Sequence, residues 1–243
     1  MKSLREFLSL LQREGELVRV EVPVSADLEL AEIHRRVVAS AGPALLFTRV
    51  EGADFPCVTN LFGTMRRVEM AFGPRPERFV EELVGLAQDL PALSAGKLWQ
   101  RRSLLGQALQ VGLKTVSSGP ILEVRQSPPR LDRLPLLRTW PEDGGFFVTL
   151  PLVYTEHPDT GHHNLGMYRI QRHDAQTTGV HWQIQKGGGF HYHVAEERNQ
   201  ALPLTLFVGG PPALILAAIA PLPEDLPELI LASLLQGGKL ARV

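Results

Sequence analysis

Between His162 and His193 the chain reads HHNLGMYRIQRHDAQTTGVHWQIQKGGGFHYH, and this one stretch gathers most of the residues able to do chemistry. Seven of the eight histidines fall between His157 and His193, together with a triple glycine, the Tyr168-Arg169 pair and Trp182. Imidazoles, cationic side chains and backbone N–H groups freed by glycine are what bind phosphate, a metal or a polar cofactor. Clustering this dense points to a site.

Asn164 offers a neutral carbonyl oxygen suited to a hard cation such as Mg²⁺ or Mn²⁺, and Arg169 can grip a phosphate or carboxylate through two parallel hydrogen bonds. Equally, Asn164 can cap a turn and Arg169 can pair with a nearby acid; the sequence weighs the two readings alike. If HHNLGMYR is one strand, its period of two puts Asn164, Gly166 and Tyr168 on one face and Leu165, Met167 and Arg169 on the other. Lys186 beside Gly187 to Gly189 could form an anion cradle, although the GxxxxGK[ST] order is missing and a hairpin tip is the commoner use of three glycines. His191 and His193, spaced i, i+2, would share a strand face, a spacing able to bind zinc or copper. No acidic or Cys partner sits at matching spacing, which favours surface histidines. His181-Trp182 could wall a ring system, but a strand Trp is more often core.

The composition excludes several classes. A net charge of -1 and a pI near 6.7 give no footprint for nucleic acid. The lone Cys57 rules out an internal disulfide framework, fits a reducing cytosol and reads as a buried structural thiol. Arg5, Glu6, Arg13 and Glu14 interrupt the first apolar pattern, which is no secretory segment. The apolar run Ala213 to Ala220 is too short to span a bilayer and is closed by Pro221 and Pro223. A soluble, cytoplasmic protein is expected, with peripheral membrane contact left open.

The elements that must position these residues fall into two groups. Ser3 precedes a helix with Leu4, Phe7, Leu8 and Leu11 on one face, ending at Gly15; VRVEVPV alternates as a strand, and a second helix starts near Asp27 and breaks at Gly42-Pro43. ALLFTRV and PCVTNLF read as strands and Pro76 to Leu86 as a helix, an order that suits a small α/β domain. A Pro-rich connection, SPPRLDRLPLLRTWP, marks the junction. Beyond it FFVTLPLVYTEH, LGMYRIQRHD, GVHWQIQ and LPLTLFVG are short alternating runs of an antiparallel β domain, followed by helices from about Pro211 to Ala220 and from Pro223 to Leu235. Glu196, Glu197, Glu224, Asp225 and Glu228 read as solvated surface residues.

At these residues the chain resembles the N-terminal half of the UbiD family of prenylated-FMN-dependent decarboxylases, the 3-octaprenyl-4-hydroxybenzoate carboxy-lyase type. The likeness is carried by NLFGTMRRVEMAFG (60–73), LPLLRTWPEDGGFFVTLPLVYTEHPDTG (134–161), NLGMYR (164–169), HWQIQKGGG (181–189) and PPALILAAIAPLPEDLPELILASLLQGGK near the end. It spans essentially the whole chain but only about the first half of a typical member.

The resemblance implies an α+β fold: an N-terminal α/β domain over 1–125, then over 126–243 the first part of a flavin-binding split β-barrel like that of flavin reductases, incomplete at the C-terminus. It implies prenylated FMN or FMN as cofactor, Mn²⁺ or Mg²⁺ bridging to its phosphate, and K⁺ nearby. Asn164 falls at the family's metal ligand; Met167, Tyr168 and Arg169, then His181, Trp182 and Gln183, then Lys186 and Gly187 fall on cofactor-contacting segments. Arg169 would also face the substrate carboxylate as the catalytic residue. The activity implied is reversible non-oxidative decarboxylation of an aromatic or α,β-unsaturated acid, with ubiquinone or menaquinone biosynthesis as one setting and a flavin prenyltransferase as cofactor supplier. Two departures stand out. Many members have a metal-binding His where this chain has Gln185, which can still offer an oxygen, and the family's acidic metal ligand and proton-donating carboxylates lie beyond Val243. A homo-oligomer, or a second subunit that supplies the remainder, is therefore expected, and a flavin-holding module without turnover is the alternative.

Overall fold

The computed structural model describes residues 1–74, 111–183, 187–220, 222 and 227–243. Helix α1 (Leu4–Arg13) starts where the Ser3 hydroxyl accepts the Glu6 N–H, and it buries Phe7 and Leu11 completely. Strand β1 (Leu17–Val20) lies parallel to β2 (Ala44–Phe47), with α2 (Glu29–Ala39) as the crossover, and β3 (Cys57–Thr59) pairs antiparallel with β2. Helix α3 (Met65–Phe72), which no sequence pattern picked out, is capped by Thr64 and closes this layer. Its Arg67 is fully buried and held by Glu16 at 2.9 Å. The expected helix at Pro76 to Leu86 lies outside the described residues.

The Pro-rich segment is more than a connection. Arg138 exchanges backbone hydrogen bonds with Ala26 and Leu28, and Leu137 does the same with Phe147. Side chains alternate across this extended strap, so Leu137 enters the core of Leu30, Phe47 and Val50 while Leu136 enters that of Val148, Val153 and Ile170. Two neighbouring leucines thus join two cores.

Past the strap, β5 (Phe147–Val148), β8 (Ile170–Arg172) and β9 (Thr178–Val180) form one antiparallel sheet in the order β5-β8-β9. A second antiparallel sheet has the order β10-β6-β7, from β6 (Leu152–Glu156), β7 (His163–Gly166) and β10 (Leu204–Phe207). Helices α5 (Pro212–Ala217) and α6 (Glu228–Gln236) pack through Ala213, Ala217, Leu231 and Ala232, and β11 (Leu240–Arg242) runs parallel to β4 (Leu113–Thr115). The fold is mixed α+β, and among the described residues these small sheets do not close into a barrel.

Three expectations are corrected. LGMYRIQRHD is two strands: the Tyr168 ring folds back over Gly166, where a Cβ would lie 2.5 Å from it, so alternation stops before Tyr168 and Arg169. The stretch from Gly187 is a helix, α4 (Gly187–Glu197), so His191 and His193 share no strand face. Glu228 is half-buried and accepts the Leu165 N–H at 3.1 Å.

Candidate functional site

The corner between β7 and β8 carries Met167, Tyr168 and Arg169, and the segment after β9 carries His181, Trp182 and Gln183. Because β8 and β9 are paired, the two segments meet across their sheet. Met167, Tyr168, Arg169, His181 and Gln183 line one cleft of about 510 Å³, with Phe147 at its wall. That volume lies within the range of small-molecule and cofactor sites, about 300–1,000 Å³. Trp182 is half-buried, its ring 4.9 Å from that of Tyr168 and 6.0 Å from that of Tyr192, and it serves as packing behind the cleft.

Arg169 is not free in this arrangement. Its guanidinium donates to both oxygens of Asp143, at 3.0 and 2.8 Å, and to the Thr139 hydroxyl at 3.2 Å, while its central carbon sits 4.0 Å over the Phe147 ring. Asp143 is fixed by its own loop, accepting the Thr139 N–H and hydroxyl and the Trp140 N–H. Arg169, and after it these Thr139 and Trp140 donors, hold the Asp143 carboxyl well below the usual carboxylate range. Of the two readings left open for Arg169, pairing with an acid is the one present here. An arginine has five N–H donors, and among the described residues only three hydrogen bonds use them. Sequence reasoning missed Asp143, Thr139 and Phe147; the available signal was an Asp accepting backbone N–H groups in the TWPEDGG turn.

The glycines pack rather than turn. A Cβ on Gly187 would fall on Asn164 Oδ1, one on Gly188 would lie 2.6 Å from the Trp182 ring, and one on Gly189 would lie 2.5 Å from the Gln183 carbonyl oxygen. Only glycine lets the first turn of α4 come this close. Gly188 N–H donates to the Tyr168 hydroxyl at 3.1 Å. Burial raises the Tyr168 pKa, against the Gly188 N–H and the Asn164 amide, which lower it. Asn164 lies on β7, not at a cap; its Nδ2 is buried against that hydroxyl without a well-formed hydrogen bond. Asn164 and Gly187 touch one another but are not part of the cleft lining. Gln185 and Lys186 lie outside the described residues.

Further along α4, His191 is buried and its Nδ1 lies 2.9 Å from Thr155 Oγ1, whereas exposed His193 pairs with Glu197 at 3.5 Å. Among the described residues no three His, Cys, Asp or Glu side chains are grouped to hold a metal. Burial pushes the Cys57 thiol up to about 11, as expected of a structural cysteine. No described helix is long and apolar enough to cross a membrane.

The family model for the 3-octaprenyl-4-hydroxybenzoate carboxy-lyase Rift-related domain matches residues 114–243, and that for the N-terminal domain of the same family matches 8–87. The chain belongs to the UbiD family. It is 50% identical over 240 residues to an uncharacterized protein of Chlamydia caviae and, over the same length, to a 4-hydroxybenzoate decarboxylase subunit of Chlamydia pneumoniae; each match covers 99% of this chain and 41% of the relative. The chain thus spans less than half the length of these curated relatives. Among solved structures it resembles the UbiD-class enzyme HmfF of Pelotomaculum thermopropionicum in an evolved dimeric form in complex with prFMN, with a TM-score of 0.79, 25% identity, and coverage of 98% of this chain and 52% of that one. The vanillic acid decarboxylase of Sedimentibacter hydroxybenzoicus, in its closed form, shares the fold at a TM-score of 0.80 and 24% identity, over 99% of this chain and 50% of the other.

Proposed function

We propose that this chain forms the cofactor-holding part of a prenylated-FMN-dependent carboxy-lyase that reversibly decarboxylates an aromatic or α,β-unsaturated acid. The observation that carries the reading is the convergence of Met167, Tyr168, Arg169, His181 and Gln183, from the two segments that flank the β8-β9 pair, on one cleft beside a glycine-rich helix start. The residues fit a flavin phosphate: the missing Cβ of Gly187 lets Asn164 Oδ1 sit directly against the start of α4, and the first N–H groups of a helix lack intrahelical acceptors and attract anions. When bound, the modified flavin supplies the electron sink for loss of CO₂. Arg169 binds and orients the substrate carboxylate. Tyr168 and Trp182 hold the cleft wall against α4, and His181 and Gln183 contact the ring system from the opposite segment. Lys186 and Gly187 take the phosphate, and Asn164 with Gln185 would hold Mn²⁺ or Mg²⁺ there, with K⁺ close by. Asn164 is the only one of these metal donors among the described residues. Among the described residues no carboxylate lines the cleft, and we assign the proton that replaces CO₂ to an acidic residue of the remainder of a full-length enzyme or of a second subunit. The division at residue 125, a cytoplasmic setting, supply by a flavin prenyltransferase, self-association and a place in quinone biosynthesis belong to the same reading.

The missing carboxylate favours one alternative, a flavin-holding module or subunit without turnover. Co-expression with a flavin prenyltransferase in the presence of Mn²⁺ and K⁺, followed by absorbance and mass analysis, tests the common core of both readings. Retained prenylated FMN, lost in Asn164→Ala and Arg169→Ala, is the expected result. A colourless, cofactor-free protein would remove both, and turnover of aromatic acids by the loaded chain decides between them.

A further inference from the structure

The Arg169 guanidinium has a second property, which concerns what holds it rather than what it binds. Its side chain is 42% exposed, yet that of Asp143 opposite it is only 9% exposed. Two bonds run to the carboxylate and a third to Thr139, whose hydroxyl in turn donates to the same carboxylate at 3.0 Å. Phe147 covers one face. A long arginine side chain loses substantial rotamer freedom on being fixed, and stacking at an exposed site does not hold it alone. Asp143 is fixed independently of Arg169, by the backbone N–H groups of Thr139 and Trp140. The order of dependence therefore runs from the loop to Asp143, and from Asp143 to Arg169.

We infer that Asp143 is a positioning residue: it anchors the Arg169 guanidinium over Phe147 so that the donors left unused among the described residues, Nε–H on one side of the plane's axis and one Nη1–H on the other, are held in fixed directions where the carboxylate of an aromatic acid can meet one of them. The inference rests on the proposed function for the nature of the anion, though not for the anchoring itself. It also opposes a simple charge argument. Were net charge decisive, the neutral Asp143-Arg169 pair would attract an anion less than a bare arginine, and removing Asp143 would tighten binding. Preorganisation predicts the reverse.

The test uses this chain with ¹⁵N-labelled arginine, reading the Arg169 Nη–H resonances of the bonds to Asp143, assigned by their loss in Arg169→Lys, together with benzoate affinity of the FMN-loaded protein. A slowly exchanging signal is expected in the unsubstituted chain and its loss in Asp143→Asn, with benzoate bound at least tenfold more weakly. Asp143→Glu, which keeps the charge, is expected to restore part of both. If Asp143→Asn fails to fold by near-UV circular dichroism, Thr139→Val gives the same reading with about a threefold effect on affinity. Unchanged Nη–H signals, or tighter benzoate binding, in a folded variant overturn the inference. A signal lost as expected in a chain that takes up neither FMN nor benzoate supports the anchoring and removes the proposed function instead.

Discussion

The backbone N–H of Gly188 donates a 3.1 Å hydrogen bond to the Tyr168 hydroxyl, tying the first turn of α4 to the corner that carries Arg169. Two substitutions separate contact from bond. Gly188→Ala puts a methyl 2.6 Å from the Trp182 ring and 3.0 Å from the hydroxyl, and overpacking of this kind costs about 1–3 kcal/mol. Tyr168→Phe leaves a buried N–H without its acceptor, at a similar cost of about 1–3 kcal/mol. Urea midpoints are expected to fall in both. An unshifted midpoint for Gly188→Ala would mean that the helix start is not packed as described.

Arg67 and Glu16 offer a larger effect. The Arg67 side chain is 1% exposed and its bond to Glu16 is 2.9 Å, so Glu16→Ala leaves a buried charge uncompensated. Breaking such a pair costs about 3–5 kcal/mol. Chemical denaturation should show this loss, and replacement of both residues by Glu16→Leu with Arg67→Met should recover much of it. Equal destabilisation by the single and double changes would remove the pair from the account.

Stability should also depend on pH through buried His191 and half-buried His34 and His163. Burial lowers the His191 pKa from 6.5, with the neighbouring His157, His162 and His163 adding to it; at His34 and His163, too, burial is the leading cause and acts downward. Each unfolds into a state that binds protons more readily, so the stabilisation is complete above about pH 6.5 and falls as the pH drops toward the folded values. Thermal midpoints between pH 8 and 5 are expected to decline below 6.5, less steeply in His191→Gln. A flat profile would contradict the burial of these rings.

Cys57 gives a chemical readout. With its thiol raised from 9.0 to about 11, the thiolate fraction at pH 8 is about a hundredfold below that of an unperturbed cysteine. Alkylation of the native chain should be correspondingly slow and become fast in urea. Rapid labelling without denaturant would place the thiol in solvent.

Some of this was legible in the sequence for a local reason. Ser3 followed by Phe7 and Leu11 announces α1, and the apolar run of β2 announces a buried strand. The segment from Gly187 was not legible, since three glycines oppose a helix on propensity alone. They open one because Asn164, Trp182 and Gln183 occupy the places their side chains would need, and those neighbours arrive only with the tertiary fold. Helix α3 hid for a related reason: Arg67 sits on its buried face and breaks the apolar stripe. The candidate site was readable as two segments by resemblance, yet Asp143 was invisible because its partner lies 26 positions away.

The leucine pair of the strap bears on how the chain is made. The N-terminal sheet lacks one wall of its core until Leu137 arrives, about 90 residues after Phe47 has left the site of synthesis. At about 5–20 residues per second that is a wait of roughly 5–20 s. For that interval the nascent sheet carries around Leu30, Phe47 and Val50 an apolar face that Leu137 does not yet cover.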